Sequence, residues 1–148
     1  MKSLIEDADG YYSYWETGRR ATLRELVLNE GLAVETARAA SPGHAEWEYF
    51  GYGRRQYVRV REMESFVVRT MAGELDEAGL GLRLKYLSGG VSEAARAIDE
   101  RHVIPERAGY YLGARMVETA IATRGLAWAV RASAAELTDA ARSAAVSA

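Results

Sequence analysis

The chain has no cysteine among its 148 residues. That absence excludes disulfides, thiolate metal sites and cysteine nucleophiles. Histidine is almost as scarce: His44 and His102 are the only two, 58 positions apart, and residues 1–29 contain none. Lysine is limited to Lys2 and Lys85 against many arginines and alanines, a bias that points to a GC-rich genome more than to a binding role. No run of about 18 apolar residues exists, so no membrane span is expected. The opening Met1-Lys2-Ser3-Leu4-Ile5-Glu6-Asp7 turns acidic too soon for a signal peptide. The net charge of −2 gives no global field to draw in nucleic acid or anionic lipid. These absences together lead to the expectation of a cytoplasmic protein with no nucleic-acid or membrane partner.

What is present fits one domain over residues 1–148. The apolar fraction is 49% and the charged fraction 27%, ordinary for a globular chain able to bury a core without staples. The periodicity is helical throughout, and no strand pattern of convincing length occurs. Residues 20–39 form an amphipathic stretch opened by Thr22 and Glu25, a capping-box pair. Ser41-Pro42-Gly43 breaks it. A second helical signal runs from about Ala45 to Ala78, with Val60, Met63, Val67, Met71 and Leu75 on one face and Gly51 and Gly53 as a dividing point. Leu82 to Leu87 is a short apolar piece of ambiguous type. Helices are expected over Ser92–Arg101, Glu106–Thr123 and Leu126–Ala144. Gly109 and Gly113 lie one turn apart and would let a neighbouring helix approach closely. The expected class is all-α, with five or six helices. The aromatic cluster Tyr11, Tyr12, Tyr14 and Trp15 is expected to pack on the body.

The first helix carries the most informative residue. Leu23, Leu26, Val27 and Val34 recur at three- and four-residue spacing, and Glu30 falls in the same stripe. A carboxylate on an apolar face is costly unless it is paired, protonated or bound to a metal. An arginine partner such as Arg55, Arg107 or Arg115 is the plainest answer. A role as acid, base or ligand is the other.

Two blocks of sequence resemble a known family. Thr22-Leu23-Arg24-Glu25-Leu26-Val27-Leu28-Asn29-Glu30-Gly31-Leu32-Ala33 resembles the second conserved block of predicted zinc-dependent proteases of the gluzincin type. Ile104-Pro105-Glu106-Arg107-Ala108-Gly109-Tyr110-Tyr111-Leu112-Gly113 resembles a downstream block of the same proteins. The likeness spans roughly residues 20–137 in order and spacing. It implies a zincin-like C-terminal helical subdomain. In that family an H-E-x-x-H helix precedes the first block and supplies two zinc-binding histidines and a water-activating glutamate. The resemblance would make Glu30 the third zinc ligand, and Tyr110 or Tyr111 the donor to a tetrahedral oxyanion. This chain contains no H-E-x-x-H, and His44-Ala45-Glu46-Trp47-Glu48 lacks the ligand spacing. No metal and no cofactor are therefore expected.

The remaining candidates are aromatic and basic. Nine tyrosines and three tryptophans stand against two phenylalanines, and tyrosine favours sites with one wet end. A polar cavity lined by Tyr11, Tyr14, Tyr49, Tyr52, Tyr110 and Tyr111 is expected, with Tyr14, Tyr52, Arg55 and Arg107 binding a small molecule or peptide. Glu30, Tyr110 and Tyr111 are the candidate catalytic groups, with metal-free acid–base chemistry of isomerase, cyclase or lyase type. The alternative is a non-catalytic binding or assembly protein, or one half of a split metallopeptidase whose partner supplies the missing helix. Without that helix the neighbours of the Glu30 helix would expose an apolar patch, so a homodimer is expected.

Overall fold

The computed structural model describes residues 19–88 and 103–146. Eight helices occur among them: α1 (Leu23–Ala40), α2 (Glu46–Tyr49), α3 (Arg54–Glu62), α4 (Glu64–Ala72), α5 (Leu80–Leu87), α6 (Ala108–Arg124), α7 (Leu126–Ala129) and α8 (Ala134–Val146). The described residues hold no strand, only an isolated bridge between Thr22 and Ala78. The class is all-α. None of these helices is long and apolar enough to cross a membrane.

The first helix starts where its capping pair requires. Thr22 Oγ1 accepts the Glu25 backbone N–H at 3.2 Å, and Glu25 Oε2 accepts the Thr22 N–H at 2.8 Å. Two further first-turn N–H groups, on Leu23 and Arg24, donate to the carbonyls of Glu77 and Leu75 at 2.8 Å each. The start of α1 is thereby tied to the loop before α5.

Helix α6 crosses α1 at a seam without side chains. A Cβ on Gly31 would fall well under 3.0 Å from backbone atoms of Gly113, and one on Gly113 would meet the Val27 carbonyl just as closely. The close approach expected of Gly109 and Gly113 is thus realised. Gly109 serves the neighbouring helix as well: a Cβ there would come 2.7 Å from Leu87 Cδ2 and 2.9 Å from the Tyr86 carbonyl of α5. The core lies on both sides of the seam. Leu23, Val27, Val34, Val60, Val67, Tyr86 and Leu112 fill one side, and Leu28, Leu32, Val117, Ala129 and Leu137 fill the other.

Several boundaries depart from the sequence expectation. Five or six helices is too few, since eight are described. The break at Gly51–Gly53 occurs, but Met63 adds another, turning at φ −94° and ψ 4° between α3 and α4. The ambiguous apolar piece is helix α5. The expected single helix Leu126–Ala144 is two, because Ser133 caps a new start. Its hydroxyl accepts the Glu136 N–H at 3.3 Å while Glu136 Oε2 accepts from the Ser133 N–H and hydroxyl at 2.8 Å each. The expected helix Ser92–Arg101 and the cluster Tyr11–Trp15 lie outside the described residues.

Candidate functional site

Glu30 precedes the seam glycine Gly31, and this position decides its surroundings. The crossing helix passes over Gly31, leaving the Glu30 side chain at the edge of the seam, half-buried rather than fully buried. Three residues before Gly113, helix α6 presents Tyr110, whose hydroxyl hydrogen-bonds the Glu30 carboxylate. Arg83 of α5 and Arg107 at the start of α6 both act on Glu30 electrostatically. Burial nevertheless outweighs these three groups and raises the Glu30 pKa above its ordinary value. Tyr110 is raised too, by burial first and then by the charge of Glu30, so its phenol keeps its proton.

Arg107 stands at the entrance to α6 in the left-handed region, with φ 55° and ψ 21°. Its carbonyl accepts the hydroxyl proton of Tyr52, a buried ring stacked on Phe50 at 5.3 Å between centroids. Burial pushes the Tyr52 hydroxyl well above the usual phenol range. The Arg107 guanidinium lies 4.5 Å from the centroid of the Tyr110 ring and donates to the Gly51 carbonyl at 3.2 Å. Glu30, Tyr110, Arg107, Tyr52 and Arg83 thus share one neighbourhood built from α1, α5, the loop before α3 and the first turn of α6.

Tyr111 points away from it. Its hydroxyl donates to Glu64 Oε2 at 3.1 Å, and burial followed by that bond raises its pKa. Glu64 is also 3.6 Å from Arg115, which donates to Glu118 at 2.6 Å. Tyr111, Phe50 and Tyr57 floor an open groove of about 950 Å³ whose rim includes Glu64 and Arg115. Adjacent tyrosines therefore serve different faces of α6, as the helical turn of about 100° per residue requires. Arg55 is exposed in the first turn of α3, and no contact joins it to Glu30. Arg115 belongs to the Tyr111 side. Tyr14 lies outside the described residues.

Sequence reasoning did not single out Arg83. It stands three and four residues before the buried Tyr86 and Leu87, so a helical reading of 80–87 would have put it on the inward face. The role of Gly51, a left-handed turn residue whose carbonyl meets Arg107, has no signal in the sequence beyond the glycine itself.

The described residues do not fit a zinc ion at Glu30. The groups around it are a phenol and two guanidiniums, which supply neither an imidazole nor a second carboxylate. Among the described residues no group of three histidines, aspartates or glutamates could hold a metal. His44 sits beyond the end of α1, ten helical residues or about 15 Å along the axis from Glu30. There its Nε2 is 3.2 Å from Ser41 Oγ and its ring meets Tyr49 edge-on. His102 lies outside the described residues.

A family model described as predicted Zn-dependent protease (DUF2268) matches residues 11–139. That stretch contains both the Glu30 block and the Gly109–Gly113 block, the two sides of the seam. No curated protein and no solved structure matches the chain.

Proposed function

The chain belongs to this family of predicted Zn-dependent proteases, and from that premise we propose that it works without zinc, as a cytoplasmic protein binding a small molecule or peptide at the Glu30 cluster. In this reading Glu30 is the acid–base group and Tyr110 the donor to a developing negative oxygen. The observation that carries the proposal is a half-buried carboxyl with a raised pKa, hydrogen-bonded to a phenol that keeps its proton. Such a carboxyl can give and take a proton closer to neutral pH than an exposed glutamate can. Isomerisation, cyclisation and elimination need this pair and no hydrolytic water. Tyr111 would act on the groove side rather than on Glu30.

A side-chain carboxyl titration followed by carbon-13 NMR tests the reading. Glu30 is expected to titrate above 4.5, its ordinary value. Tyr110→Phe should raise it further, because the phenol hydrogen bond favours the charged carboxylate. A Glu30 that titrates at or below 4.5 would end the acid–base proposal. Elemental analysis should find no stoichiometric zinc, and about one tightly held zinc per chain would refute the metal-free reading.

A second reading is half of a split metallopeptidase. The incomplete burial of Glu30 favours it, since that leaves the carboxyl within reach of a partner's histidines.

A further inference from the structure

Arg107 is the one non-glycine residue with positive φ among the described residues. A left-handed arginine is unfavourable and persists only where its surroundings over-determine it. They do so here. Tyr52 donates to its carbonyl, Tyr110 supports the flat face of its guanidinium, and the Gly51 carbonyl accepts from Nη1. Gly51 is itself at φ 63°, and a Cβ there would come 3.1 Å from Arg107 Nη1. The loop before α3 is shaped around this guanidinium.

Its charge is less well provided for than its position. Arg107 is half-buried, and among the described residues no carboxylate comes within ion-pair distance of it. Glu30 is close enough to feel its charge but makes no ion pair with it. Among the described residues this guanidinium meets the Gly51 carbonyl and the ring and hydroxyl of Tyr110, all neutral, and it still has donors to spare. Those donors suit an anion.

We propose that the Glu30 site receives a carboxylate-bearing ligand, and that Arg107 is the specificity-determining residue that grips it beside Tyr110. The inference rests on the reading of Glu30 as the binding site. A planar carboxylate matches the guanidinium fork with two parallel bonds. A dianionic phosphate would meet more repulsion from Glu30 than a single carboxylate does. The raised pKa of Glu30 helps, because a protonated carboxyl donates to the incoming oxygen instead of repelling it.

The test uses the full chain labelled with nitrogen-15, following the Tyr110 backbone amide in every variant, and the Arg107 Nε resonance where that arginine is present, while acetate, N-acetylalanine or N-acetylalaninamide is added. Saturable shifts are expected with the acids and none with the amide. Binding of acetate as tight as that of N-acetylalanine would mark a small organic acid as the source. Binding of N-acetylalanine alone would mark a peptide C-terminus. Arg107→Gly should fold, since glycine suits φ 55°, and should weaken acid binding at least about tenfold. Arg107→Lys should retain part of the binding, and Arg142→Ala, on the exposed face of α8, all of it. Equal binding of acid and amide, undiminished binding by Arg107→Gly, or no saturable shift with either acid would overturn the proposal. The Glu30 titration in the same samples separates the two failures. A high Glu30 pKa without acid binding defeats the ligand assignment alone, and an ordinary one defeats the underlying reading.

Discussion

The pKa of Glu30 decides what the residue does for stability. Its folded value is raised, so the native state holds the proton more tightly than the unfolded chain does. The sign follows directly. Stability from this group is fully present below the unfolded value of 4.5 and is lost as pH rises through the folded value. At pH 7 the charged carboxylate is a net burden, because burial costs more than Tyr110, Arg83 and Arg107 return. Glu30→Gln should therefore raise the melting temperature at pH 7, and the gain should shrink toward zero as pH falls below 4.5. A variant less stable than wild type at pH 7 would mean that the arginines dominate. The apolar stripe Leu23–Val34 made Glu30 visible in the sequence as a residue needing explanation. The stripe could not reveal that the carboxyl lies at the edge of a helix crossing, because that depends on which residue α6 passes over. Arg107 was legible as a candidate arginine, but its left-handed backbone was not, since nothing in the sequence marks a non-glycine residue for that conformation.

The α1–α6 crossing gives the two family-like blocks a shared physical role. Glu30-Gly31 and Tyr110 through Gly113 are the two sides of one contact, and the glycines bring the helices close enough for Tyr110 to reach Glu30. The obstacle to a side chain at Gly31 is backbone, which cannot rotate away. Gly31→Ala should therefore force the helices apart and cost about 3 kcal/mol, the upper part of the overpacking range. Urea unfolding measures this, and a loss below about 1 kcal/mol would show a looser seam than described. The same variant should lower the Glu30 pKa toward its ordinary value by letting water in, which links the element to the site. Capping signals explain which elements were legible. Thr22 and Glu25 gave the start of α1 correctly. Ser133 and Glu136 form the same arrangement, but Ala132 before the serine and Ala134-Ala135 after it hid it within a continuous helical pattern. Met63 interrupts the second helical stretch with no proline or glycine to announce it.

At the scale of the molecule, the all-α class followed from periodicity alone, because stripes at three- and four-residue spacing fill most of the chain. The pairing of elements did not, since period says which face is apolar and not what covers it. Gly109 and Gly113 were the exception: their spacing pointed to a close contact, and α1 and α5 are the helices that make it. The same logic frames the question of assembly. Singly exposed apolar residues are ordinary, but Leu80 and Leu84 stand one turn apart on α5, exposed at 42% and 39%. Val58 and Val68 are exposed at 45% and 47% on α3 and α4. A two-fold dimer would bury such residues against their own copies. Light scattering at micromolar concentration should then give about twice the 16.3 kDa chain mass. Leu80→Ser with Leu84→Ser should return the mass to that of one chain without unfolding it, because neither side chain belongs to the buried core. A wild-type mass of one chain would rule the dimer out. A dimer untouched by the double change would move its interface away from α5, toward Val58 and Val68.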